Sequence, residues 1–366
     1  MAGIGMPTLD IVFKGLGVSA IQRGARGVAV LVLKDETDTT FDTVIYRSLA
    51  DLTSAELAKF TATNQQYIKD VLEGLPLKVI VARMDEDGVL ADLLAIVKGV
   101  MPRNCWIGIA EGTTAEHNAL ATFVKTENLN NKKCYKAMVY QATAPDSMAV
   151  VNFSNDNVTF ADTRGVQAGD KAIATLLGFF AGLPLTMSGI GKFLNYKFSS
   201  VVEPASLETA INAGKLVLYS EDGNVKVARA VNSLTTTGQE VTDDMKFILI
   251  VEQMHLIYTD IYDTWNNDFK GKFKNYMDNQ LLLIGAINSY FEGLENDSIL
   301  DPNYDNVSAI DLEAQRLANV PKYGAETVNG WDDKKAMTMT FGTNVFLIAN
   351  IKILNAMEDI KFNIYM

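Results

Sequence analysis

The chain has 366 residues, of which 48% are hydrophobic and 21% charged, the balance of an ordinary folded protein long enough for two domains or more. A formal net charge of −12, with no basic cluster standing out, argues against nucleic acid or an anionic membrane as partner. No apolar run approaches a membrane span, and the opening residues lack the charged, apolar, small-residue order of a signal peptide; the expectation is a protein kept in the cytosol unless lysis releases it.

Residues 1–24 hold one short alternating stretch, "TLDIVFKGL", in which Leu9, Ile11 and Phe13 share a face; this predicts a short strand. Val28 to Leu33 is apolar at every position, as in a strand covered on both faces. "TSAELAKFTATNQQYIKDVLEG" predicts a single helix, capped by Thr53 or Ser54, with Leu57, Phe60, Tyr67, Ile68 and Val71 inward and Gly74 at its end. The rhythm then repeats. "LKVIVARM", "NCWIGIA" and "CYKAMVY" read as strands, with "GVLADLLAIVKG" and "TTAEHNALATFVKTEN" as helices between them. Alternation at these lengths means a mostly parallel sheet with helices on its faces.

"SMAVVNFSNDNVTF" breaks that rhythm and is expected to be a hairpin-like insert around Asn155-Asp156-Asn157. A helix from about Ala168 to Ala181 follows, then a short one over "SLETAINAG", then a hairpin turning on Asp222-Gly223. From Thr242 the pattern becomes helical, with a stripe at Ile248, Val251, Met254, Tyr258, Ile261 and Trp265. It is expected to continue through Phe273, Met277, Ile284, Ile287 and Phe291, and a polar stretch from Asp297 to Asp333 carries weak helical character.

Residues with chemistry are sparse. His117 and His255 each sit alone on a predicted helix, without a second ligand at metal-binding spacing. Cys105 and Cys134 border strands and are expected as reduced core thiols. "SGIGKF" lacks the first glycine and the final Ser or Thr of a phosphate loop. No dinucleotide fingerprint follows the first strand. Asp243-Asp244 and Asp332-Asp333 read as helix caps or solvated surface. The expectation is a chain with no catalytic residue, no cofactor and no metal, built for packing and assembly.

The final stretch, "VFLIANIKILNAMEDIKFNIYM", reads as two strands about a polar turn. In the second, Ile360, Phe362, Ile364 and Met366 alternate with Lys361, Asn363 and Tyr365. Two outcomes fit: a hairpin closing the protein's own sheet, or a last strand donated to the sheet edge of another copy. Four apolar side chains at roughly 1.5–3 kcal/mol each give a gross gain of about 6–12 kcal/mol before ordering costs.

Several stretches resemble the contractile tail sheath subunits of bacteriophages, and most closely the short sheaths of diffocin-type (R-type) bacteriocins and related prophages. They are "PTLDIVFK", "RGARGVAVLVLKD", "VVNFSNDNVTF", "AGLPLTMS", "AGKLVLYSEDGNVKVARAVNSLTT", "QLLLIGAINSYFEGLE" and "KILNAMEDIKFNIYM". They run from end to end, with "ARAVNSLTT" and "NAMEDI" the most specific; Leu49 to Thr143 resembles the family least.

The resemblance implies an α/β fold with an N-terminal arm at 1–24 and an outer α/β domain at 25–235 bearing the insert near 147–160. A helical, mixed inner domain at 240–340 and a C-terminal β-hairpin arm at 341–366 complete it. It further implies stacked six-fold rings around a tail tube and arms that join neighbours. Baseplate and tail terminator proteins are implied partners. Assembly is expected in the host bacterial cytoplasm, before release as the tail of a virion or bacteriocin particle. The arm residues would be Leu9, Ile11, Phe13, Ile360, Phe362, Ile364 and Met366. Phe269, Phe273, Tyr276 and Met277 are expected on one helical face beside Lys270, Lys272 and Lys274, either plain solvated surface or a basic contact with the tube. An α/β hydrolytic enzyme and another tail component, such as a baseplate protein, are the alternatives.

Overall fold

The structure, a computed structural model, describes Ile21, residues 27–192 and residues 194–366. The expected strand at Leu9, Ile11 and Phe13 lies outside those residues. From residue 27 on, the described chain divides into two compact units, a larger one of residues 27–260 joined by Ile353–Met366, and a smaller one of Ile261–Lys352. The division falls between Asp260 and Ile261, inside a helix.

In chain order the larger unit begins β1 (Val28–Lys34), β2 (Thr43–Tyr46), α1 (Ser54–Leu57), α2 (Ala62–Glu73), β3 (Lys78–Met84), α3 (Leu90–Val97), β4 (Asn104–Ile109) and α4 (Thr114–Asn131). It continues β5 (Cys134–Tyr140), β6 (Val150–Phe153), β7 (Asn157–Phe160), β8 (Val166–Ala168) and α5 (Ile173–Gly182). Then come β9 (Phe198–Val201), α6 (Leu207–Asn212), β10 (Lys215–Leu216), β11 (Leu218–Glu221), β12 (Asn224–Val227) and α7 (Ile248–Thr264). Its main sheet has the order β10-β6-β5-β4-β1-β3-β2. The pairs are parallel except that β2 runs antiparallel to β3.

β1 shows why this sheet needs two covering layers. Every residue from Val28 to Leu33 is 0% exposed. Ala29, Leu31 and Leu33 enter one core with Ile68 and Val71 of α2 and Ile173 and Leu177 of α5. Val28, Val30 and Val32 enter the other, with Leu90 and Leu94 of α3 and Leu120 and Val124 of α4. Successive strand residues point to opposite faces, so an unbroken apolar run is stable only when both faces are dry. On the α2–α5 side the helices touch through glycine: a Cβ on Gly178 would stand 2.2 Å from the Val71 carbonyl oxygen, and one on Gly182 would stand 1.8 Å from that of Gly74.

Two expected elements are corrected here. The single helix over 53–74 is two. Thr53 caps α1 by accepting from the Glu56 amide, and Thr61 caps α2 by accepting from the Asn64 amide. The Thr61 amide itself donates to Asp35 at 2.8 Å, which ends α1 and restarts the helix. The expected hairpin insert is not one either. β6 joins the parallel sheet between β5 and β10, whereas β7 lies in a separate antiparallel sheet of order β8-β7-β9. The β11–β12 hairpin does turn on Asp222 and Gly223, with φ of 52° and 75°, the left-handed pair a tight hairpin requires.

The smaller unit takes the end of α7, a π-turn over Trp265–Phe269, α8 (Met277–Asn296), β13 (Val307–Ile310), α9 (Leu312–Tyr323), α10 (Ala325–Asn329), α11 (Asp333–Thr338) and β14 (Leu347–Asn350). The helical pattern predicted to run on from Trp265 is interrupted until Met277. β13 and β14 form an antiparallel two-stranded ribbon. The expected hairpin at the end of the chain is absent: β14 pairs with β13, 37 positions upstream of its register partners at the Ile310–Leu347 pair, and residues 351–366 form no strand. No helix among the described residues is long and apolar enough to cross a membrane.

Candidate assembly site

Ile360 is 92% exposed and Phe362 76%, and Ile364, Tyr365 and Met366 are exposed with them. Isolated exposed apolar residues are unremarkable, but a contiguous alternating set is the mark of a surface meant to be covered. The backbone leading into it is held. Arg229, two residues beyond β12, donates from Nε to Glu358 Oε2 at 3.0 Å and from its terminal nitrogen to Asp359. Ser188, in the loop after α5, donates to the other Glu358 oxygen at 2.7 Å. The Glu358 side chain is only 5% exposed, that of Asp359 85%. The hydrogen bond to Asp359 foremost, and that to Glu358 after a smaller opposing effect of burial, hold the Arg229 pKa above its ordinary value. Its guanidinium also lies 5.9 Å from the centre of the Phe247 ring.

Within the smaller unit the β13–β14 ribbon has two unlike faces. Ser308 and Ile310 are buried, and Asn288 of α8 accepts from the Ser308 amide and hydroxyl, both at 2.7 Å. The other face shows Val307 at 40% exposure and Ile348 at 53%. A two-stranded ribbon with a single covered face is a marginal sheet.

Lys270, Lys272 and Lys274 are exposed, but on the connection between the π-turn and α8 and not on a helical face. Phe269 is buried there, while Phe273 and Tyr276 are about half exposed, at 47% and 49%. The four expected face residues therefore form no common stripe. The Lys272 ammonium donates to the Asn267 carbonyl at 2.5 Å, and the Asn275 side chain fixes the connection by donating to the carbonyls of Gly342 and Asn344.

The remaining reactive types are core residues. Cys105 and Cys134 are buried free thiols on β4 and β5, and burial pushes Cys105 up to about 12. Burial likewise pushes the His117 imidazole down to about 4. No group of three or more metal-ligating side chains occurs among the described residues.

Sequence reasoning missed Arg229, Ser188, Glu358 and Asp359. The acid pair in "NAMED" was legible as polar, but its partners lie 129 and 170 positions away along the chain.

Residues 240–366 match the family model described as the phage tail sheath C-terminal domain. The chain is 29% identical over 372 residues to a tail sheath protein of Clostridium phage phiCD119, covering 99% of each. Its fold is shared with the helical sheath of the anti-feeding prophage in its contracted state, at a TM-score of 0.67 and 14% identity over 99% of both chains. A chain in the six-fold symmetrised baseplate of the same system matches at 0.65 and 14%, again over 99% of both.

Proposed function

We propose that the chain is a tail sheath subunit of a contractile injection system, a reading supported by the family match, the phage relative and the shared fold, and that its copies polymerise as stacked six-fold rings around a tail tube and contract to drive that tube through an envelope. One observation carries the link between copies: residues 360–366 alternate as a strand and are exposed. In the lattice this segment adds to the exposed β13–β14 ribbon of a neighbouring copy. The ribbon's open edges supply the backbone partners, and its uncovered side supplies apolar contact through Val307 and Ile348. The gross gain of about 6–12 kcal/mol from burying the four apolar side chains is enough for a link that survives rearrangement. Alternation also fixes its register, since a one-residue slip would turn those side chains to water.

The subunit's work is mechanical: no bond is made or broken in the sliding of rings, and no cofactor is needed. Leu9, Ile11 and Phe13 are proposed to reach a second neighbour. Lys270, Lys272 and Lys274 are proposed to meet acidic groups on the tube, as an exposed basic trio on an acidic chain. A baseplate contact at the foot of the sheath follows from the likeness to the chain in the anti-feeding prophage baseplate. A tail terminator would close the upper end. Assembly in the bacterial cytoplasm, then release as part of a particle, completes the proposal.

The deciding experiment removes Ile360 to Met366 and images the purified product by electron microscopy. The expected outcome is a folded, soluble subunit that forms no long tubes. Ordered tubes from the truncated chain would refute strand donation.

A further inference from the structure

Residues 360–366, proposed above as a donated strand, are exposed, but the residues just before them are held. Glu358 is gripped on both carboxylate oxygens, by Ser188 at 2.7 Å and by Arg229 at 3.0 Å, and the second nitrogen of the same guanidinium takes Asp359. All four residues belong to the larger unit. Two consecutive side chains held by one planar fork fix both the position and the direction of the backbone at that point.

We propose that Arg229, with Ser188, is the anchor that sets the length of the arm available to the neighbouring copy. This rests on reading residues 360–366 as a donated strand. Beyond the anchor, the seven residues 360–366 span roughly 25 Å when fully extended. Without it, the next fixed backbone is Lys352, whose carbonyl accepts from the Asp301 amide and whose amide donates to Asn306, both at 2.9 Å, and the fourteen residues 353–366 could span roughly 50 Å. A tether twice as long lowers the effective concentration of its end by about threefold, by the −3/2 power of length. It also admits acceptors on more distant subunits. The anchor thus selects which neighbour receives the strand, and a lysine should not replace Arg229, because a point charge cannot hold two carboxylates in a fixed fork.

The test measures the anchor in the isolated subunit and its consequence in the sheath. Spin labels at Met357→Cys and Asp222→Cys, both exposed positions, report the distance from the arm's root to the tip of the β11–β12 hairpin in the same unit. The parent is expected to give one narrow distribution. Arg229→Ala, Arg229→Lys and the double variant Glu358→Gln, Asp359→Asn should each broaden it, with little change in melting temperature. The double variant keeps Arg229, so it reports on the anchor even if loss of the arginine disturbs folding. Equal widths in parent and variants would overturn the anchor. Broadened widths with an unchanged critical concentration for tube formation, where a rise of about threefold is expected, would overturn its role in setting arm length. Tubes formed by the chain lacking residues 360–366 would instead remove the donated-strand reading and leave the anchor standing on the distances.

Discussion

β1 and residues 360–366 are about equally long and both strand-like, yet they end in opposite environments. Val28 to Leu33 are 0% exposed, while Ile360 is 92% exposed. The difference lies in the pattern. β1 is apolar at every position and finds α2 and α5 on one face, α3 and α4 on the other. Residues 360–366 alternate with Lys361, Asn363 and Tyr365, which suits a strand with one dry face and one wet one. No described residue of the larger unit covers that dry face. On the strand donation proposed above, the segment is written for a sheet that its own chain does not complete. Changes in β1 should alter stability, and changes in 360–366 should alter assembly.

The largest contrast comes from paired changes. Deleting 360–366 should abolish tubes while shifting the melting temperature by no more than about 1 °C, because exposed residues off such features contribute little to the fold. Leu31→Ala should do the reverse, costing about 2–5 kcal/mol in denaturant unfolding, with whatever folds still assembling. A core variant that loses tubes without losing stability would break the comparison.

Gly178→Ala sharpens it from inside the core. The added methyl must push α2 and α5 apart against the Val71 backbone, and overpacking of this kind costs about 1–3 kcal/mol or more. Chemical denaturation should show the loss, and arm exposure should stay unchanged.

Acid should separate the regions next. An unfolded imidazole titrates near 6.5, and burial places that of His117 at about 4 in the fold. Because the folded value is the lower, the stability involved is whole above about pH 6.5 and drains as pH falls toward 4, by about 3 kcal/mol in all. His117→Gln should flatten that slope in urea titrations run across the interval. A slope unchanged by the substitution would count against the buried neutral histidine.

The smallest effect belongs to the loop lysines. Replacing Lys270, Lys272 and Lys274 with glutamate should leave stability and sheath-to-sheath contacts intact but prevent ordered growth around the tube. Normal extended sheaths on tubes, seen by electron microscopy, would sink the tube-contact proposal.

What could be read from the sequence was what is local. β1, β3, β4 and α4 are long and strongly patterned, and α4 even carries its capping box at Thr113 and Glu116. The elements misread were those decided by distant partners. Thr61 breaks a helix because its amide meets Asp35, 26 positions earlier. β6 leaves the expected hairpin because Asn155, just beyond it, pairs through its side-chain amide with the backbone of Leu218, 63 positions on. Val307–Ile310 is a strand because β14 lies beside it. Arg229 reads as one more surface cation until Glu358 folds back to it. The alternation of the arm was visible, but its root was not.

The borders of the main sheet bear on a hazard that any self-assembling chain faces. On one side the sheet stops at β10, two residues long, and on the other at β2, four residues long and reversed in direction. Neither gives a passing strand much ladder to grow on. If copies assemble as proposed, such blunt borders would steer the exposed segment away from the large sheet and keep disordered clumping from outrunning orderly growth.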